Sequence, residues 1–173
     1  MSMVDNIHSS RRENLIEHVF IGEVLRHLWR LGCHEVDVLR AETDAGGYDL
    51  VIEANSIIRH IQLKSSALQA TTSSQKVHEE LWKKPCGCVI WVRFDPVSMS
   101  IGPYRWHGAR PGTALTERSK PSDFKIAKHA KGNSKGVKTE RKNIRVINSG
   151  KFDKLDSIAE LVEHLFNIPS QAV

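Results

Sequence analysis

Two apolar runs with strand character, Tyr48 to Glu53 and Ile57 to Ser65, are separated only by Ala54-Asn55-Ser56. A gap that short allows one connection, a tight hairpin, because parallel neighbours need a crossover of a dozen or more residues. The two strands are therefore expected to be antiparallel, which argues against a purely parallel doubly wound sheet.

The remaining elements fall around this hairpin. Arg12 to Leu31 has no proline and reads as a long helix, with Ser9 and Ser10 as N-cap candidates and Gly32 as its stop. His34 to Arg40 alternates as a short strand, and Asp44-Ala45-Gly46-Gly47 is turn chemistry. A short helix is predicted over Lys76 to Lys84, ended by Pro85. Gly87 to Phe94 reads as a buried central strand, and Met99 to Trp106 as a strand pairing back on it. Ile144 to Ile147 and an amphipathic helix over Leu155 to Phe166 close the chain. The order α-β-β-β-α-β-β-α predicts an α/β fold, a mixed β-sheet flanked by helices. Val51, Ile61, Val89, Trp91 and Leu161 are its expected core. A length of 173 residues suits a single domain over 1–173, with 108–143 a basic, loop-rich insertion that shows no hydrophobic period.

Charge is concentrated in that insertion. Arg118 to Arg145 holds ten basic residues against Asp123 and Glu140, a local net of +8, which leaves −3 for the rest of a chain of net +5. Lys125, Lys128, Lys131, Lys135, Lys138, Arg141 and Lys142 are candidates for contact with a polyanion, since neutralised phosphates release condensed counterions. A solvated loop that keeps the protein soluble is the competing reading. Three cysteines argue against a disulfide framework. No run reaches the length of a membrane span, and Met1 to Arg12 lacks an apolar signal core, so no membrane partner and a cytoplasmic location are expected.

On the hairpin, alternation puts Gln62 and Lys64 on one face, with Leu63 on the other. Asp49, at the entrance of its strand, comes near the far end of the partner strand where they lie. A carboxylate, an amide oxygen and an ammonium then share one sheet edge. That set suits an oxygen-loving divalent cation together with a cationic group beside a water or phosphate.

Gly47-Tyr48-Asp49 and Gln62-Leu63-Lys64, thirteen residues apart and bridged by a hairpin, resemble the two half-motifs of the PD-(D/E)XK nuclease superfamily, the restriction-endonuclease-like fold. Tyr48 stands where many members have proline, and Gln62 replaces the acidic residue of the second half-motif. The resemblance covers the chain from the first helix to the Gly87 strand. It implies an αβββαβ core with a basic C-terminal extension and closing helix. It also implies a metal-dependent endonuclease that hydrolyses phosphodiester bonds of nucleic acid, DNA foremost, with Mg2+ or Mn2+. Asp49, the Gln62 side chain and the Leu63 carbonyl would hold metal, Lys64 would position the attacking water, and a helix glutamate would hold a metal-bound water.

Helix geometry selects that glutamate. At about 100° per residue, Glu17 lies among Val24, Leu28, Ile21 and Leu31, whereas Glu23 shares a face with Arg12, Arg26 and Arg30. A carboxylate aimed at apolar surroundings needs a partner or a metal, so Glu17 is preferred and Glu13, one turn earlier, is the reserve. The alternative function is a nucleic-acid-binding module whose nuclease fold has lost catalysis. A homodimer is compatible with either.

Other signals are weaker. Gly132 to Thr139 misses the phosphate-loop spacing, and Cys86-Gly87-Cys88 lacks a second pair, so buried strand cysteines are expected. Trp106 and His107 are equally suited to stacking on bases or to packing.

Overall fold

The computed structural model describes residues 8–132 and 136–169. Helix α1 spans Ser9–Arg30 and buries Ile16, Phe20, Val24 and Leu28, a stripe repeating every four residues. Its N-cap is His8, with no side-chain cap, so Ser9 and Ser10 lie inside the first turn rather than closing it. At the other end Gly32 takes φ +77°, a left-handed conformation that stops the helix.

Strands β1 (Val36–Arg40), β2 (Leu50–Ala54) and β3 (Ile57–Ala67) form an antiparallel meander. Asn55 and Ser56 both have positive φ, 51° and 59°, as a two-residue hairpin of the primed type requires. Strand β5 (Gly87–Phe94) lies parallel to β3, with Gln62 opposite Val89 and Lys64 opposite Trp91. Strands β6 (Ile101–Gly108) and β9 (Asp153–Leu155) complete a six-stranded sheet in the order β1-β2-β3-β5-β6-β9. The fold is thus mixed α/β with a mixed sheet, and α1 and α2 (Ile158–Phe166) are the α-helices among the described residues.

The predicted helix over Lys76 to Lys84 is not formed. Strand β4 (Ser74–His78) and a 3-10 turn over Glu79–Lys83 take its place between β3 and β5. Val77 and Leu81 are both buried four residues apart, which satisfies helical spacing. Backbone pairing of β4 with β8 (Glu140–Asn148) decides in favour of the strand. The basic insertion departs from expectation in the same way. Strand β7 (Lys125–Lys128) pairs with β8, giving a second sheet in the order β4-β8-β7. Only Ala127 of β7 is buried, so its ladder hydrogen bonds leave almost no apolar signature. Leu155 belongs to β9, and α2 begins later, where the Ser157 side chain accepts from the Glu160 N–H.

The layers are helices, large sheet and small sheet. Ile61, Cys88, Ile90 and Val92 pack with both helices on one face, while Val89 and Trp91 meet Val77, Leu81, Ile147 and Phe152 on the other. Ile61, Val89, Trp91 and Leu161 are fully buried as expected. Val51 is only half-buried, because Leu50, Ile52 and Ala54 are the residues of β2 that face the core.

Candidate active site

Asp49 immediately precedes β2 and is held from three directions. Its N–H donates to Ile61 O at 2.8 Å, its carbonyl accepts from Ala41 N at 2.9 Å, and its Oδ2 accepts from the Leu63 N–H at 2.7 Å. The approach to this position requires glycine. Gly47 has φ +72°, and a Cβ there would meet the backbone nitrogen of Leu81 at 2.9 Å.

Asp49 opens onto a cleft of about 510 Å³ that is also lined by Glu13, Glu17, Arg40, Lys64 and Gln75, with Leu63 beneath. Helix α1 contributes the glutamates, the end of β1 contributes Arg40, and β3 and β4 contribute Lys64 and Gln75. The Glu17 side chain is 15% exposed, and its buried Oε1 lies 2.5 Å from Arg40 Nε without an aligned hydrogen bond. Glu23 instead pairs with Arg26 on the surface at 2.5 Å. Glu13 is exposed at the cleft mouth.

Gln62 is placed differently from its motif neighbours. It is 8% exposed, does not line the cleft, and its Oε1 accepts from the His78 N–H at 3.1 Å. The amide ties β3 to the end of β4. The structure therefore brings Asp49, Leu63, Lys64 and Glu17 to one cleft and leaves Gln62 beside it. Among the described residues no three His, Cys, Asp or Glu side chains are grouped to hold a metal. The donors present still suit a hard cation such as Mg2+, which binds through one or two carboxylates and retains several waters. Asp49 and Glu17 would be the anionic ligands, and the Leu63 carbonyl a neutral one.

The basic residues project from the β7–β8 ribbon. Lys125, Lys128, Lys131, Lys138, Arg141 and Lys142 are exposed, and Lys135 lies outside the described residues. Arg145, counted with them in sequence, is structural: its guanidinium reaches Glu79 Oε2 at 2.6 Å and Pro121 O at 3.1 Å. Arg118 pairs with Asp153 at 2.9 Å. His78, His129, Arg141 and Lys142 line a shallow groove. Strand β4 joins the two depressions, since Gln75 borders the cleft and His78 the groove, roughly 10 Å further along at strand rise.

Trp106 and His107 are 2% exposed and cannot stack on bases. His107 bonds Lys151 O at 2.8 Å and Ser119 Oγ at 2.9 Å, and burial lowers its pKa below the ordinary 6.5. Cys86 and Cys88 are buried free thiols, with burial pushing Cys88 up to about 12.

The sequence reading missed Arg59. It is fully buried, its Nε donates to Leu165 O at 2.7 Å, its Nη2 to His164 O at 2.9 Å and its Nη1 to Ala109 O at 3.2 Å. Trp106 lies under the guanidinium at 5.3 Å. With Asn55 Nδ2 on Phe166 O at 3.0 Å, the β2–β3 hairpin caps the C-terminal carbonyls of α2. An arginine at a core-facing strand position was the available signal.

No protein-family model, curated protein or solved structure matches this chain. No helix among the described residues is long and apolar enough to cross a membrane.

Proposed function

We propose that the protein is a divalent-metal-dependent nuclease of the restriction-endonuclease-like kind, which hydrolyses phosphodiester bonds of nucleic acid, DNA foremost. The observation that carries this reading is the cleft, where Asp49, Glu17 and Lys64 meet from three separate elements. The sheet that borders it through β4 also extends the basic ribbon. Asp49 and Glu17, with the Leu63 carbonyl, would hold Mg2+ or Mn2+. When bound, that cation offsets negative charge developing on the phosphate and the leaving oxygen. Lys64 holds the attacking water and favours its hydroxide form. Water adds to phosphorus and gives up a proton to solvent, the bond to the leaving oxygen breaks, and that oxygen takes up a proton from solvent. The ribbon carries the flanking phosphates through Lys125, Lys128, Arg141 and Lys142.

A second reading, a binding module without catalysis, is favoured by the commitment of Gln62 to His78. One experiment separates them. The full chain is incubated with DNA and RNA, duplex and single-stranded, in Mg2+ and in Mn2+, beside Asp49→Ala. Cleavage by the parent and none by the variant supports the nuclease. Retention of nucleic acid without cleavage in either metal supports the binding module, and equal cleavage by both proteins removes Asp49 from the site.

A further inference from the structure

The cleft holds a cation of its own. Arg40 is the last residue of β1, opposite Leu50, and the next residue bonds the Asp49 carbonyl, so its backbone is fixed beside Asp49. Its side chain is 49% exposed, whereas that of Glu17 is 15% exposed. An exposed arginine–glutamate pair contributes little. This pair is asymmetric: the carboxylate is walled in by α1 and the sheet, and the guanidinium is free to swing toward solvent. A buried carboxylate without a counter-charge is strongly disfavoured. A cation is therefore the favoured replacement for Arg40 at the largely buried Glu17 carboxylate. A guanidinium released from a carboxylate is in turn suited to a phosphate, which it can grip through two parallel hydrogen bonds.

We propose that Arg40 is a positioning residue that exchanges partners: it neutralises Glu17 in the metal-free cleft and turns to a phosphate of the substrate when a divalent cation takes that carboxylate. The inference rests on the nuclease reading of the cleft. It makes metal and nucleic acid cooperative ligands, because each removes the reason for the Arg40–Glu17 contact and coupling between two sites is reciprocal.

The test titrates Mn2+ into the full chain and follows the electron paramagnetic resonance of the free ion, with no turnover required. Parent, Arg40→Ala, Arg40→Gln and Asp49→Ala are compared, with circular dichroism to confirm folding. Arg40→Gln keeps a polar end should Arg40→Ala not fold. Removal of the competing guanidinium should tighten Mn2+ binding by at least about fivefold. A phosphorothioate oligonucleotide that resists hydrolysis should tighten Mn2+ binding to the parent and have little effect on either Arg40 variant. If the Arg40 variants bind Mn2+ no more tightly than the parent while Asp49→Ala abolishes binding, the exchange is wrong and the nuclease site stands. If no protein binds Mn2+ in an Asp49-dependent way, the nuclease reading falls and the exchange with it.

Discussion

The carboxylate of Asp49 accepts a hydrogen bond from the backbone N–H of Leu63 at 2.7 Å, so one half of the motif is bonded directly to the middle of the other. The contact fixes the carboxylate against the partner strand. It also gives Asp49 two separable roles, one in the hairpin and one in the cleft.

Asn in place of Asp49 keeps an oxygen for Leu63 and removes the charge. Asp49→Asn should therefore unfold near the parent's denaturant midpoint yet lose hydrolysis. Asp49→Ala should lose hydrolysis and also about 1–3 kcal/mol of stability, from a Leu63 N–H left unpaired. Urea melts beside a cleavage assay read both effects.

Gln62 separates in the opposite sense. Gln62→Met leaves the His78 N–H without its acceptor and should cost about 1–3 kcal/mol. Since the amide does not line the cleft, Mn2+ affinity of the folded variant should change less than about twofold, against the roughly tenfold that 1.4 kcal/mol of lost binding would give. A large loss of Mn2+ affinity would return the amide to the metal site.

On the ribbon, replacing Lys125, Lys128, Arg141 and Lys142 with Ala should weaken nucleic-acid binding. Each true phosphate contact on duplex DNA should remove about 0.9 from the slope of log affinity against log salt. Arg145→Ala, which breaks the contact to Glu79, should lower thermal stability first. Binding titrations at several salt concentrations distinguish the two classes.

Burial holds the His107 imidazole below its ordinary 6.5 in the folded chain. The unfolded chain therefore binds the extra proton at a higher pH than the folded one does. The stability associated with this neutral imidazole is full above about 6.5 and is lost as the pH falls through the lower folded value. Denaturant midpoints should drop between pH 7 and pH 5, and His107→Gln should drop less.

What the sequence made legible was local. Ala54-Asn55-Ser56 marks the hairpin because so short a gap between two strand-like runs allows little else, and Gly87 to Phe94 is apolar enough to demand a central place. Helical angle, with the cost of aiming a carboxylate at apolar neighbours, picks Glu17 among the helix glutamates, and Glu17 lines the cleft. What stayed hidden depended on partners far along the chain. Strand β4 exists because β8 supplies its backbone bonds, and Val77 with Leu81 would have suited a helix equally well. A central place in its strand suggests burial for Val51, but alternation has two phases, and the packed sheet turns Leu50, Ile52 and Ala54 to the core instead. Alternation along β3 and the spacing from Asp49 point to Gln62 as a ligand, whereas its Oε1 accepts from the His78 N–H. Its bond to His78 depends on β4, a segment whose local spacing equally suits a helix.

Arg59 has a consequence for how the chain is made. Its carbonyl partners on α2 lie 105 and 106 residues downstream. While the protein is being synthesised from its N-terminus, the hairpin that carries Asp49 and Lys64 leaves the ribosome long before those carbonyls exist. Until they do, the guanidinium on the core face of β3 has Ala109 O, 50 residues downstream, but lacks both helix carbonyls, and the nascent hairpin has reason to stay open. Completion of the cleft thus waits on the arrival of the last helix. Nascent chains halted before residue 158 should be readily cut by protease within Ile57–Ala67, whereas the released protein should resist there.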